Sequence, residues 1–301
     1  MTMADAGTWR PCSDRSRERG DPLTATAGLG ERWFLVEIDG AWGPRAFLDS
    51  GLDPEVAGAL VRRVEDAGMR PLAIRRTGRR ADERRRDPGS SWAVVDTRVG
   101  RESVRWGRFG SLAELLEVPL DGSTGAPSDQ PVIAVCTHAR HDQCCAVRGR
   151  PIVETLAAAF PEQTWECSHL GGDRFAATFI VFPTGLLFGR VPADEAVRVV
   201  DRALDGRIET PWFRGRVALS SVEQAAQAYA RAASGDERVT AYSTAQIAEA
   251  GDGWRVRLDH DGGAPVEVEL TGTLSAPLLS TCAATVAVRV PQYELIGVRP
   301  L

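Results

Sequence analysis

The chain runs twice through one order of hydrophobic patterns, β-α-β-β-β-α, and this repetition limits the folds open to it more than any other feature. In the first pass, "RWFLVEI" (32–38) mixes aromatic and branched apolar residues as a strand does. Asp53 and Pro54 then open "PEVAGALVRRVEDAG", whose apolar residues recur at helical spacing behind a capping acid and a first-turn proline. "PLAIR" (71–75), "WAVVDT" (92–97) and "SVRWG" (103–107) read as strands, and "SLAELLEV" (111–118) as a short helix with a serine cap.

The second pass repeats the order. "PVIAVCT" (131–137) is a strand, and "RPIVETLAAAF" (150–160) is a helix with proline near its start. "TWECS" (164–168), "ATFIVFP" (177–183) and "LLFGRV" (186–191) are strands, followed by the acid-led amphipathic helix "ADEAVRVVDRAL" (193–204). Two tandem α/β units are therefore expected, at 31–120 and 130–210, joined by the linker "DGSTGAPSDQP". Residues 1–30 are expected as a flexible arm. From 211 to 301 the helix "SVEQAAQAYARAA" precedes the strand-like runs "RVTAYSTAQI", "WRVRLDH", "VEVELTG" and "YELIGV". This reads as a small β-rich region covering an edge of the second unit.

Composition narrows the function. A hydrophobic fraction of 43% and a charged fraction of 26% are those of a water-soluble globular chain. The most apolar run, Phe175 to Gly189, is broken by Pro183, Thr184 and Gly185, so no membrane span is expected. The first residues lack a basic-then-apolar leader, and a cytoplasmic location is expected, where clustered cysteines bind metal or do redox chemistry more often than they form disulfides. The net charge of −5 gives no global field for nucleic acid. The seven arginines of "RRTGRRADERRRDPG" (75–89) are interleaved with acids in a chain without lysine, which reads as a solvated loop.

Chemistry gathers in the second unit. Cys136 ends its first strand, Cys144 and Cys145 follow in the loop expected before the helix, and Cys167 and His169 follow the next strand in "WECSHLGGDRF". Adjacent strands end about 5 Å apart, close enough for one metal ion or small cluster to bridge both loops. Gly171 and Gly172 let the second loop approach closely.

"CTHARHDQCC", "CSHLGGD" and "CSDRSRERGDP" resemble the sucrase/ferredoxin-like family, itself similar to the thioredoxin-like [2Fe–2S] ferredoxins. The resemblance implies that both units are thioredoxin-like and that Cys136 and Cys145 are the thiolate pair, with Cys144 an extra neighbour. Counting back from Phe182 and Pro183, it places His169 and Asp173 in the second pair of ligand slots. Asp173 departs from the family pattern, which has histidine or cysteine there, and a carboxylate is a harder donor for iron. Three outcomes stand open: Asp173 ligates, Cys167 replaces it, or no cluster is held.

His138 and His141 occupy no ligand slot and are expected beside the ligands with Arg140, which could balance cluster charge. Cys282 reads as a small hydrophobe, Cys12 as a free thiol or a cover over the site, and His260 as a turn residue. The implied function is one-electron transfer to an unidentified redox partner protein, an electron carrier more than a substrate-turning enzyme. The alternatives are a structural zinc protein, with Cys136, Cys145, Cys167 and His169 as a Cys3His set, and a binding module without metal. No Cys-x-x-Cys opens a helix for thiol–disulfide exchange, no G-x-G-x-x-G marks a dinucleotide, and no paired carboxylates suit glycoside hydrolysis.

Overall fold

Uninterrupted apolar runs become central strands buried on both faces, and the computed structural model, which describes residues 10–77 and 89–301, shows this directly. The elements in chain order are α1 (Cys12–Glu18), β1 (Arg32–Glu37), α2 (Pro54–Asp66), β2 (Arg70–Arg75), β3 (Ser90–Asp96), β4 (Ser103–Phe109), α3 (Glu114–Glu117) and β5 (Ala126–Ser128). Then follow β6 (Val132–Cys136), α4 (Gln143–Ala159), β7 (Thr164–Cys167), β8 (Thr178–Phe182), β9 (Leu186–Gly189), α5 (Ala196–Leu204) and β10 (Phe213–Arg216). The last elements are α6 (Ser221–Ser234), β11 (Tyr242–Ala250), β12 (Gly253–His260), β13 (Val266–Leu274) and β14 (Pro291–Pro300).

The fold is mixed α/β, with one ten-stranded sheet in the order β10-β9-β8-β6-β7-β2-β1-β3-β4-β5 and a separate antiparallel sheet β11-β12-β13-β14. In the large sheet β1 runs parallel to β2 and antiparallel to β3, and β3 pairs antiparallel with β4. β6 has the same relation to β7 and β8, and β8 to β9. The two halves meet where β2 pairs antiparallel with β7, through Ile74 with Cys167 and Arg75 with Glu166.

The sheet is strongly curled. β1 and β8 stand four strands apart, about 19 Å in a flat sheet, yet the Trp33 and Phe182 rings meet edge to face at 5.4 Å. Arg216 of β10 likewise ion-pairs with Glu102, at the start of β4, from the far side of the sheet. The concave face buries one apolar layer that includes Leu35, Leu72, Ala134, Ile180 and the sulfurs of Cys136, Cys145 and Cys167. The opposite face carries α4 and α5 over Ile133, Val135 and Phe179, and α2 over Phe34 and Val36.

Four sequence expectations change. The stretch taken as a flexible arm contains α1, whose Cys12, Ser13 and Ser16 are buried. The linker contains β5, which extends the sheet beside β4. α4 begins at Gln143, well before Pro151, because Asp142 caps it by accepting the Cys144 backbone N–H at 2.8 Å. Cys144 and Cys145 therefore lie in the first helical turn, outside any loop. β10, assigned from sequence to the C-terminal region, is the edge strand beside β9. The arginine run falls mostly outside the described residues. Of its described members, Arg75 pairs with Glu166 and covers Trp42, and Arg76 lies over Trp165.

Candidate metal centre

The site forms where β6 and β7 end side by side and α4 begins. Cys136 and Cys167 are register partners at the two strand ends. After Cys136 the chain turns through Thr137–Asp142 into α4, which brings Cys145 back over Cys136. The close return needs Gly149, because a Cβ there would stand 2.3 Å from the Cys136 carbonyl oxygen. After Cys167 the second loop bends through Gly171 and Gly172, both at positive φ, and delivers Asp173 into a short 3-10 turn. Arg214 of β10 holds this loop. Its guanidinium is buried, donates to the Gly171 carbonyl at 2.7 Å and to Thr26, and leaves no room for a side chain at Gly172.

Ligand-capable atoms of Cys136, Cys145 and His169 lie within 4.8 Å of one another, and so do those of His141, His169 and Asp173. Cys145 Sγ reaches Asp173 Oδ1 at 3.1 Å, and His169 Nδ1 lies 2.9 Å from the same oxygen. The His141 ring stacks against His169 at 3.8 Å, with its Nε2 3.7 Å from Asp173 Oδ2. The two sulfurs and the carboxylate are buried, His169 is half-buried and His141 is exposed. The site thus has a thiolate floor and an imidazole rim facing solvent.

The S–H of Cys145 holds the Cys136 pKa well below the usual thiol value despite burial, with His169 adding to the effect. Cys145 is pushed well above that value, first by donating to Cys136 and then by burial. Burial disfavours a charge on His169, yet Asp173 and Cys136 raise its pKa to about 9. Burial likewise opposes the Asp173 carboxylate, which His169 and then Cys145 hold below the usual range. Two thiols, an imidazole and a carboxylate, all buried or half-buried, suit zinc or an iron–sulfur cluster by the softness of the donors. His169 Nδ1 is shielded from water and faces the Asp173 carboxylate at 2.9 Å, so the ring is held against the donor group by that contact.

The remaining predicted residues have other surroundings. Cys167 is buried in the apolar layer and joins no donor group among the described residues. His138 Nε2 donates to the Gly43 carbonyl at 2.6 Å, and its ring packs edge-on against Trp42. Arg140 is exposed. His260 stacks on Tyr242 at the end of β12. His141 stands closer to the donors than its lack of a ligand slot suggested. Cys144 points away from this centre, into a second group with Cys12, Cys282 and Asp142 that short-range spacing could not reveal.

Residues 31–215 match the sequence model of the family described as sucrase/ferredoxin-like. No curated protein and no solved structure matches the chain significantly.

Proposed function

Because the chain belongs to the sucrase/ferredoxin-like family, we propose that it is an electron carrier whose [2Fe–2S] cluster is held by Cys136, Cys145, His169 and Asp173. The observation that carries this reading is the convergence of Cys136, Cys145 and His169 within 4.8 Å at two adjacent strand ends, with Asp173 alongside. Such a group, when bound, supplies a one-electron couple, and imidazole in place of thiolate raises its potential. The protein's own contribution is to bury the sulfurs and present His169 and His141 at the surface, where a redox partner protein would dock. The repeated strand pairing supports reading the halves as tandem thioredoxin-like units. Among the described residues no helix is long and apolar enough to cross a membrane. The proposed carrier works in the cytoplasm, without membrane or nucleic-acid partners.

A zinc ion held by Cys136, Cys145 and His169 is the second reading, favoured by three zinc-type donors gathered within 4.8 Å of one another. Anaerobic purification with a visible spectrum and iron, sulfide and zinc analysis separates the two. A reddish-brown protein with about two irons and two acid-labile sulfides per chain is expected. A colourless, iron-free protein overturns the proposal. Asp173→Ala and Cys167→Ser then identify the fourth donor, by which of them shifts or bleaches the spectrum.

A further inference from the structure

Beside the first centre, on the other side of the α4 N-terminus, lies a second gathering of sulfur. Cys12 Sγ is 3.6 Å from Cys144 Sγ, which is 3.2 Å from Cys282 Sγ. Cys12 Sγ also lies 3.6 Å from Asp142 Oδ2, and ligand-capable atoms of all four residues fall within 4.8 Å of one another. Cys12, Cys144 and Asp142 are buried and Cys282 is half-buried. We infer that Cys12, Cys144, Cys282 and Asp142 form a second, structural metal site, taking a zinc ion independently of whatever the first centre holds.

The spacing is that of one tetrahedral ion. Bonds of about 2.3 Å to sulfur and 2.0 Å to oxygen set sulfur–sulfur edges near 3.8 Å and sulfur–oxygen edges near 3.5 Å. The observed sulfur–oxygen edge and the Cys12–Cys144 edge lie within about 0.2 Å of those lengths, and the Cys144–Cys282 edge is shorter by about 0.6 Å. A disulfide would use two of the three thiols at about 2.05 Å and strand the third, whereas three thiols and a carboxylate together complete a zinc shell. Asp142 is already oriented: Oδ1 accepts the Cys144 N–H at 2.8 Å and Oδ2 the Cys282 N–H at 2.7 Å, and the Cys12 thiol faces both oxygens.

A second observation concerns the loop that carries Cys282. Residues 275–290 link β13 to β14 with no helix or strand of their own, and such long connections are usually functional or else linker-like and disordered. Away from its base, where Leu278 bridges to Val288, this loop meets α1 and α4 around the sulfurs, through the Cys282 bonds and an Arg15 contact to the Thr281 carbonyl. Three sulfurs from distant parts of the chain would thus be fastened by one ion. The N-terminal end of α4 favours the anionic thiolates electrostatically.

Full-length protein as isolated, with its first centre as found, decides the matter by metal analysis and thiol mapping. The expected result is one zinc per chain in the wild type and in Cys136→Ser. Cys12→Ser and Cys282→Ser should each weaken zinc retention by more than about 100-fold, leaving the iron content and spectrum of the first centre unchanged. In the wild type, Cys12, Cys144 and Cys282 should resist alkylation until a chelator strips the zinc, a readout that needs no variant to fold. Three thiols that alkylate freely in zinc-supplemented protein overturn the inference. So does a mass two hydrogens lighter with a mapped disulfide among them, or zinc lost with Cys136→Ser and kept in Cys282→Ser. An iron-free first centre with zinc retained by the second would sink the proposed function and leave this inference standing.

Discussion

Cys144 and Cys145 are neighbours in sequence and serve different pockets, because successive helical residues point about 100° apart. Cys145 turns toward Cys136 and Asp173, Cys144 toward Cys12 and Cys282. That geometry depends on how closely α4 lies on β6, and Gly149 sets the distance. Alanine is the better helix former by up to about 1 kcal/mol, but its Cβ would meet the Cys136 carbonyl oxygen at 2.3 Å, with backbone on both sides of the clash. Gly149→Ala is therefore expected to destabilise by about 1–3 kcal/mol and to weaken metal binding at the first centre, read from urea midpoints of the metal-free protein and from metal titration. A gain in stability would show that the helix has room to move. A second expectation follows from His169, protonated in the metal-free centre up to about pH 9. A cation must displace that proton and the one on Cys145, whose pKa stands well above the usual thiol value, so affinity at this centre rises with pH through the imidazole titration and keeps rising beyond it. Calorimetric titration in buffers of different ionisation enthalpy counts the protons released, and a pH-independent affinity would contradict the assignment. Cys136 and Cys145 were legible through the resemblance of "CTHARHDQCC" to the family motif, which sets them as a pair. Cys12 and Cys282 were not, since they meet Cys144 across more than a hundred residues of chain each.

At the scale of elements, the second ligand loop owes its shape to a strand beyond it. Arg214 of β10 donates to the Gly171 carbonyl and to the carbonyl and hydroxyl of Thr26, with its guanidinium 5.0 Å from the Phe175 ring centre. Arg214→Met keeps much of the volume and removes every donor, leaving buried acceptors unpaired. The expected cost is about 2–5 kcal/mol, with faster amide exchange across the 168–173 loop, and a loop as protected as in wild type would show that Arg214 does not hold it. Asp53→Ala offers a contrast. It removes the α2 cap, which accepts from Glu55 and Val56, and should cost about 1 kcal/mol without disturbing either metal centre. This cap was legible as Asp followed by Pro. The cap of α4 was not, because Pro151 drew the helix start toward itself, while Asp142 stands well before it. A proline read as a first-turn residue is here an interior one.

For the whole molecule, local patterns carried the strands of both halves but had no means of showing that β2 and β7 pair, since that edge-to-edge contact joins segments with no shared turn or motif. The curl that brings Arg216 to Glu102 and Trp33 to Phe182 is likewise a property of all ten strands together. Within this frame the N-terminal α1 and the 275–290 loop meet at the α4 N-terminus through their sulfurs, and α1 is tied there as well by the Asp14–Arg148 ion pair and the Arg190 bonds to Ser16. An ion there stabilises the folded chain by its free-energy linkage, about 2.7 kcal/mol when free zinc is a hundred times its dissociation constant. The stabilisation should be local first, because β6 and β8 are buried along their whole lengths whatever the ion does. Removing zinc with a chelator is therefore expected to speed amide exchange in Cys12–Glu18 and 275–290 while β6 and β8 keep their protection. Restoring zinc, but not magnesium, should reverse it, because three thiols and one carboxylate are too soft a set for magnesium. Uniform loss of protection across the ten-stranded sheet, or none at α1, would mean that the sulfurs pack without fastening the two ends of the chain.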